Sequence, residues 1–390
     1  MIIYDSCYSI LLDIITNLGG DNRKWDSVYS QTLYIAGLLG VDTQGKRYDS
    51  VYSILLDIIA AMGGDNTRYF DSVYSELKYV AELSGCEEKY YDSNYSILLD
   101  IVGGSPVYDY DGLTFEALED GCAVAMNNYG TNATTTKPDL QYTFGDDIWK
   151  VWNGEEITLN YGEKIGFKAT RISTSTANYS KFVMTGRIAA SGNMMSLVDD
   201  GECTASTIPA NYYFYYLFNP CPSLVNVDNL TLPATTLKAN CYNRMFFGCG
   251  FEKAPEILPA TALTEGCYYM MFQGCLNLKE SPILPAETLV KTCYYQMFNA
   301  CSSLEKITAL FLTTPGTTTS TNQTRNWVSG VPSGATSGGV FVKNVKAFWG
   351  VDGVNGIPSG WQTIYKDTTD NTYWLEQSKT TQCDKYGNPI

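Results

Sequence analysis

The chain has 390 residues, 45% of them hydrophobic, and its 26 basic and 41 acidic residues give a formal net charge of −15 at pH 7. It contains no histidine, which excludes Ser-His-Asp and Cys-His catalytic arrangements and the usual zinc ligands. No basic patch indicates nucleic-acid binding, and no run approaches the ~18 apolar residues of a membrane-spanning helix.

The first hundred residues carry one short motif five times. Each copy reads aromatic-Asp-Ser-x-Tyr-Ser, and the aspartates lie 21 to 23 residues apart: Asp5, Asp26, Asp49, Asp71 and Asp92. The Asp, or the Ser after it, is suited to cap a helix N-terminus, and the apolar run that follows ends at glycine. The sequence therefore predicts a five-helix repeat domain over residues 1–105. Five evenly spaced copies at helix starts favour capping over catalysis or calcium binding.

Residues 106–200 have the pattern of short strands instead. Seven apolar segments are separated by turn sequences: residues 113–118, 123–126, 141–144, 148–152, 156–159, 164–169 and 182–188. Short strands at this spacing predict a small antiparallel β-sandwich.

Residues 221–301 contain one sequence unit written three times. Each copy has Leu-Pro-Ala-x-x-Leu, at 232–237, 258–263 and 284–289, followed by Cys-Tyr-x-x-Met-Phe. Proline closes a predicted strand, because it cannot donate to a ladder. Apolar residues at spacings of three and four then predict a short helix. A period in the twenties predicts units that stack as a solenoid, here over residues 201–312.

Cysteines form two columns in these copies. Cys221, Cys249, Cys275 and Cys301 are 28, 26 and 26 residues apart, and Cys241, Cys267 and Cys293 are 26 apart. We interpret them as buried thiols that stack from copy to copy; disulfides and metal binding are the alternatives, and no Cys-x-x-Cys pair favours either. The N-terminus has neither the basic segment nor the cleavage site of a secretory signal, which also favours reduced thiols.

The remaining residues differ in composition. Residues 302–325 are rich in Thr, Ser, Asn and Gly, which predicts an exposed loop. Segments rich in Gly and Trp follow and predict a C-terminal cap and tail over residues 313–390, because the end of a stack of repeats exposes an apolar face.

The repeat resembles the BspA-like class of leucine-rich repeats, in which Leu-Pro is followed by a Phe-x-x-Cys-x-x-Leu turn. Matching turns lie at 218–224, 272–278 and 298–304, whereas the second copy has Glu252 where leucine is expected. The resemblance implies a BspA-like leucine-rich-repeat solenoid. Together with the residue patterns above, it predicts a multidomain α+β protein with N-terminal helical repeats, a β-sandwich, this solenoid and a C-terminal cap; the N-terminal helical repeats themselves carry no such resemblance.

Residues 110–364 also resemble, in the order of their modules, proteins of gut Bacteroidales phages, crAss-like phages included, and of their hosts. This resemblance implies a phage virion structural protein, a tail or head fibre or appendage, usually a homotrimer. The N-terminal helical repeats would contact other virion proteins, and the leucine-rich repeats would bind a glycan or protein on the host surface. We expect the protein in the virion, assembled in the host cytoplasm, without nucleic-acid or membrane partners. The alternatives are a virion connector without receptor contact and a bacterial surface adhesin with the same repeats.

The candidate binding residues are the variable ones beside each Cys-Tyr pair: Asn243, Arg244, Tyr269, Met270, Tyr295 and Gln296. Their alternative interpretation is solvent-facing residues without a ligand. We expect no catalytic residue, cofactor or metal. Paired carboxylates for glycan cleavage exist at 146–147, 155–156 and 199–200, but neighbouring residues on a strand point to opposite faces.

Overall fold

The computed structural model describes residues 28–38, 50–62, 77, 79–80, 110–130, 139–144, 149–172, 178–316, 321–334 and 338–390. The chain divides into two compact units: residues 1–109 with 145–147, and residues 110–144 with 148–390.

In the first unit the structure describes two α-helices, α1 (Val28–Leu38) and α2 (Val51–Ala61). Ser50 caps α2 as the sequence predicts: its Oγ accepts the backbone N–H of Ser53, and Ser53 Oγ accepts that of Ser50. Ile54 and Ile59 of this helix are fully buried. The five aspartates of the Asp-Ser motifs lie outside the described residues.

The second unit is built from fifteen named strands. They are β1 (Thr114–Ala117), β2 (Cys122–Gly130), β3 (Gln141–Thr143), β4 (Lys150–Val151), β5 (Ile157–Leu159), β6 (Lys164–Lys168), β7 (Asn178–Thr185), β8 (Ile188–Asn193), β9 (Leu224–Thr231), β10 (Glu280–Leu284), β11 (Lys306–Ala309), β12 (Val340–Asn344), β13 (Gln362–Asp367), β14 (Thr372–Trp374) and β15 (Gln382–Cys383). A 3-10 helix, Met194–Leu197, follows β8.

These strands form three sheets. The first has the order β4-β3-β6-β1-β8-β9, the second runs from β10 to β15 in chain order, and the third is β5-β2-β7. Pairing is parallel between β8 and β9 and from β10 to β13, and antiparallel elsewhere. The first and third sheets pack through aromatic rings, since Phe115 of β1 and Phe182 of β7 meet edge to face with centroids 4.9 Å apart.

All seven segments predicted as strands between residues 106 and 200 overlap β1 to β7. The sequence did not predict β8. This strand lies between β1 and β9 in the first sheet, and β9 belongs to the first repeat copy. The two regions assigned to separate domains therefore share one sheet. The exact four-domain division stays a prediction.

After the Leu-Pro-Ala segments, the three copies form a row of consecutive turns. We call residues 240–249, 266–275 and 292–301, with 212–219 before and 322–330 after them, the turn ladder. Its backbone N–H groups alternate between two partners. Arg244 N donates to Tyr269 O in the next copy at 2.9 Å, whereas Met245 N donates locally to Tyr242 O at 3.2 Å. Every fourth residue is left-handed, for example Asn240 (φ 56°) and Gly248 (φ 67°).

Large side chains stack in columns inside the turn ladder. The Phe218, Phe246, Phe272 and Phe298 rings follow one another at centroid distances of 5.4, 5.6 and 5.7 Å. The cysteine columns lie beside them, fully or almost fully buried. None of the ten described cysteines forms a disulfide, and the predicted burial of both columns is confirmed.

Other segments of the same chain close both ends of the turn ladder. At the start, Phe182 N of β7 donates to Leu217 O at 2.8 Å. At the far end, Asn326 N donates to Asn355 Oδ1 at 2.7 Å, and Val328 N donates to Val354 O at 3.2 Å. The indole of Trp327 is fully buried there and donates to Gly356 O at 2.8 Å.

The predicted fold class is wrong. The protein is mainly β: the described residues include two named α-helices and three sheets, none of which is closed or forms a solenoid. Neither the five-helix repeat domain nor the leucine-rich-repeat solenoid describes this architecture. The helix predicted within each repeat copy is also absent, because left-handed residues at every fourth position turn the chain where a helix would continue.

Candidate functional site

The six predicted binding residues all lie in the turn ladder, and backbone hydrogen bonds join four of them directly. Arg244 N donates to Tyr269 O, and Met270 N donates to Tyr295 O, each at 2.9 Å. The side chains of five of the six are half-buried at the surface, and Asn243 is the exception, with 6% of its surface exposed. Their role in binding stays a prediction, and Asn243 is not a surface residue.

Five tyrosines form a row on both sides of Arg244, and two of them belong to the predicted set. We call the continuous surface row the aromatic strip: Tyr179, Tyr215, Tyr216, Arg244, Tyr269 and Tyr295. Each member is half-buried. The strip starts on β7 of the three-stranded sheet and runs across four segments of the turn ladder.

At one end, the strip is a cluster of tyrosine rings. The centroid of Tyr179 lies 5.3 Å from that of Tyr215 and 5.4 Å from that of Tyr216, and the latter two are 4.3 Å apart. At the other end, Tyr269 and Tyr295 stack in parallel with centroids 4.7 Å apart. The guanidinium carbon of Arg244 joins the two parts, 5.4 Å from the ring centroids of both Tyr216 and Tyr269.

Two phenols of the strip, those of Tyr215 and Tyr269, have a raised pKa. Burial, and then the neighbouring Tyr216, raise the pKa of Tyr215 to about 12. Burial and Tyr295 also raise the pKa of Tyr269, while Arg244 acts in the opposite direction. The strip thus offers uncharged rings and hydroxyls together with one permanent cation, because a guanidinium does not lose its proton in a protein.

Backbone conformation does not single these residues out. Arg244, Met270 and Gln296 have φ of 54°, 54° and 49°, in the left-handed region that few non-glycine residues adopt. Tyr216 and Asn326, at the equivalent places of the first and last copies, have φ of 61° and 53°. The conformation therefore belongs to the turn ladder as a whole and is no evidence for a ligand.

The sequence interpretation missed three tyrosines of the strip. Tyr215 and Tyr216 lie in residues 212–219, the segment of the turn ladder before the three copies. The bond from Tyr216 N to Asn243 O aligns this segment with the copies and extends their pattern to both tyrosines. Tyr179 comes from a strand more than thirty residues earlier in the chain, and no repeat pattern could indicate it.

Comparison of the chain with protein-family models, with curated proteins and with solved structures finds no match. Among the described residues, no three His, Cys, Asp or Glu side chains are grouped closely enough to hold a metal ion. No helix in the same part of the chain combines the length and apolar character that crossing a membrane requires.

Proposed function

We propose that this chain is a structural protein of a virion, a tail or head fibre or appendage, whose aromatic strip binds a saccharide on the host surface. The observation that carries the proposal is the strip itself, a row of half-buried rings continuous from Tyr179 to Tyr295. The virion context comes from the module order of residues 110–364, which resembles phage appendage proteins.

Tyrosines suit this task for a physical reason. A sugar ring combines apolar C–H faces with polar hydroxyls, and a tyrosine likewise combines an apolar ring with one polar hydroxyl. The hydroxyls of Tyr269 and Tyr295 form no hydrogen bond with any described residue, so they can bond to the hydroxyls of a ligand. Tyrosine is also enriched at protein binding surfaces generally.

The support beneath the strip is rigid, which reduces the entropy that a ligand must remove on binding. Backbone bonds of 2.9 Å hold Arg244 and Met270 to the next copy. Below the strip, the Tyr242, Tyr268 and Tyr294 rings stack at 5.7 and 5.9 Å. Each copy advances the strip by about one ring spacing, a distance comparable with one monosaccharide unit, which favours a chain-like glycan over a compact ligand.

Binding of the full chain to host cells, or to polysaccharide isolated from their surface, tests the strip. The double variant Tyr269→Ala/Tyr295→Ala should weaken binding by about 30-fold or more, since even one aromatic hot spot contributes ~2 kcal/mol or more. Tyr161→Ala is the matched control, because Tyr161 is an exposed tyrosine outside the strip. Equal binding by both variants and the parent chain, with unchanged unfolding midpoints, would refute the role of the strip.

Two further measurements address the virion context. A phage whose protein carries Tyr269→Ala/Tyr295→Ala should assemble but adsorb poorly; normal assembly with normal adsorption would favour a connector role instead. The mass of the intact chain in solution, from light scattering after gel filtration, should be three times the 43.2 kDa of one protomer. A monomer would count against a self-standing trimeric fibre.

A further inference from the structure

Arg244 is a cation without an anionic partner in a strongly acidic chain. Its side chain forms no ion pair and no hydrogen bond with the described residues, although acidic residues outnumber basic ones by 41 to 26. Instead, its guanidinium makes cation–π contacts with the rings of Tyr216 and Tyr269. The positive charge is therefore available to a ligand.

Three other cations of the repeats are paired. Lys279, Lys291 and Lys306 each pair with a glutamate one copy earlier, with nitrogen–oxygen distances of 2.6 Å. Arg244 differs from these three lysines and shares the lack of an ion pair among the described residues with Lys238 and Lys253.

The residue before Arg244 breaks a column of tyrosines. Tyr216 N donates to Asn243 O, and Arg244 N donates to Tyr269 O, so Tyr215, Asn243 and Tyr269 occupy equivalent places in successive segments. The shorter, buried Asn243 stands where its neighbours have tyrosine, and the guanidinium of Arg244 lies over the rings of Tyr216 and Tyr269. The amide nitrogen of Asn243 donates to Asn240 Oδ1 at 3.1 Å, while its buried Oδ1 has no hydrogen-bond partner.

A guanidinium held between two rings keeps its in-plane N–H groups free. These donors form a planar fork that matches both oxygens of a carboxylate, and stacking on aromatic faces does not use them. Tyrosines on both sides would contact the sugar ring that carries the acid. A neutral saccharide would leave the charge of Arg244 unmatched.

We propose that Arg244 binds the carboxylate of an acidic monosaccharide, such as a uronic or sialic acid, within the glycan that the aromatic strip holds. This inference rests on the proposed saccharide-binding function. It narrows the ligand class from any surface glycan to one that carries carboxylates.

The test measures binding of the full chain to oligogalacturonate, oligomannuronate and a sialylated oligosaccharide, each as the free acid and as its methyl ester. Esterification removes the charge and preserves the sugar. At least one free acid should bind about 10- to 100-fold more tightly than its ester, the range expected for hydrogen bonds to a charged group. Raising the salt concentration should reduce this difference.

Variants assign the difference to one side chain. Arg244→Gln should bring the acid and the ester to nearly equal affinity, and Arg244→Lys should retain part of the preference, because it keeps the charge but loses the planar fork. Arg187→Gln, at an exposed arginine outside the strip, should behave like the parent chain. The parent and the variants should unfold at the same urea concentration.

Equal binding of acids and esters by the parent chain, binding of neither, or a preference that survives in Arg244→Gln would each overturn the inference. Binding of neutral saccharides that is lost in Tyr269→Ala/Tyr295→Ala would leave the proposed function standing and refute only the acidic ligand. If the parent chain neither prefers an acid to its ester nor binds any saccharide through Tyr269 and Tyr295, both proposals are refuted.

Discussion

Two buried tyrosines, Tyr242 and Tyr213, differ in whether the hydroxyl group has a hydrogen-bond partner. The hydroxyl of Tyr242 is buried without a hydrogen-bond partner. The hydroxyl of Tyr213, by contrast, donates to Leu197 O at 2.8 Å and lies 3.0 Å from Thr170 O. A buried polar group without a partner costs free energy, whereas a bonded one stabilises the fold modestly.

The same substitution should therefore have opposite effects at these two positions. Tyr242→Phe should raise the free energy of unfolding by about 1 kcal/mol, because it removes the unbonded hydroxyl and keeps the ring stack. Tyr213→Phe should lower it by about 1 kcal/mol or more, because two carbonyl oxygens lose their contact with the hydroxyl. Urea unfolding of both variants measures the pair of changes, and a decrease at both positions would contradict the assignment for Tyr242.

At the scale of the element, the turn ladder depends on residues that can adopt positive φ. Gly248 (φ 67°) and Gly274 (φ 75°) occupy one such column, but the next copy has Ala300 at φ 62°. A Cβ at Gly274 would meet no described atom closer than 3.9 Å, so an alanine there is strained by its backbone conformation and not by contacts.

Exchanging glycine and alanine in this column tests the conformational cost alone. Ala300→Gly should raise the free energy of unfolding by about 0.5–1 kcal/mol. It relieves the strain of the left-handed backbone, and the greater entropy of glycine in the unfolded chain offsets part of that gain. Gly274→Ala should lower it by about 1 kcal/mol. Thermal or urea unfolding gives both values; a stabilising Gly274→Ala would show that the turn geometry differs from the one described.

The turn ladder also explains which parts of the fold the sequence could predict. Short apolar segments separated by turn sequences correctly indicated β1 to β7. The apolar spacing of three and four after Leu-Pro-Ala wrongly indicated a helix. Turns with a left-handed residue at every fourth position, such as Arg244 and Gly248, produce the same spacing, and nothing in hydrophobic periodicity separates the two.

The candidate site also contains residues that the sequence could predict and residues that it could not. Five of the six predicted residues lie half-buried in one row, because the repeat period alone places equivalent positions side by side. Tyr179 joins that row only through the packing of β7 against the first copy. The burial of Asn243 could not be predicted from the repeat period, because the equivalent Tyr269 and Tyr295 are half-buried.

At the scale of the whole molecule, many acidic protons are buried together. Burial raises the pKa of Cys241, Cys275 and Cys293 from about 9 to about 12. Burial also holds the pKa of the Tyr242, Tyr268 and Tyr294 hydroxyls well above the usual value near 10. These groups stay protonated in the folded chain at pH values where the unfolded chain has lost its protons.

Stability should consequently fall steeply in alkali. The folded state binds more protons than the unfolded state between about pH 9 and about pH 12, so the free energy of unfolding decreases there by about 1.4 kcal/mol per pH unit for each thiol. The contribution is complete below pH 9 and lost above the folded pKa. Urea unfolding in a reducing buffer, from about pH 8 to about pH 10.5, gives the slope.

Cys275→Ala provides the control for this slope. It removes one buried thiol, and its bond to Phe246 O at 3.0 Å, so overall stability should drop at every pH. The decrease of the free energy of unfolding with pH should nevertheless become shallower by the contribution of one thiol, about 1.4 kcal/mol per pH unit. A slope that is flat in the parent chain, or unchanged in the variant, would mean that the thiols titrate in the folded state as they do in the unfolded state.

The closure of the turn ladder at both ends has a consequence for contacts between molecules. Unpaired backbone donors at the end of a ladder are a template on which another chain can stack. Here Asn355 and Val354 occupy the donors of Asn326 and Val328, and β7 supplies the donor that meets Leu217 O at the opposite end. Intact molecules are thereby protected from end-to-end growth. A product of proteolysis that ended before residue 350 would expose those donors and acquire the capacity to form filaments.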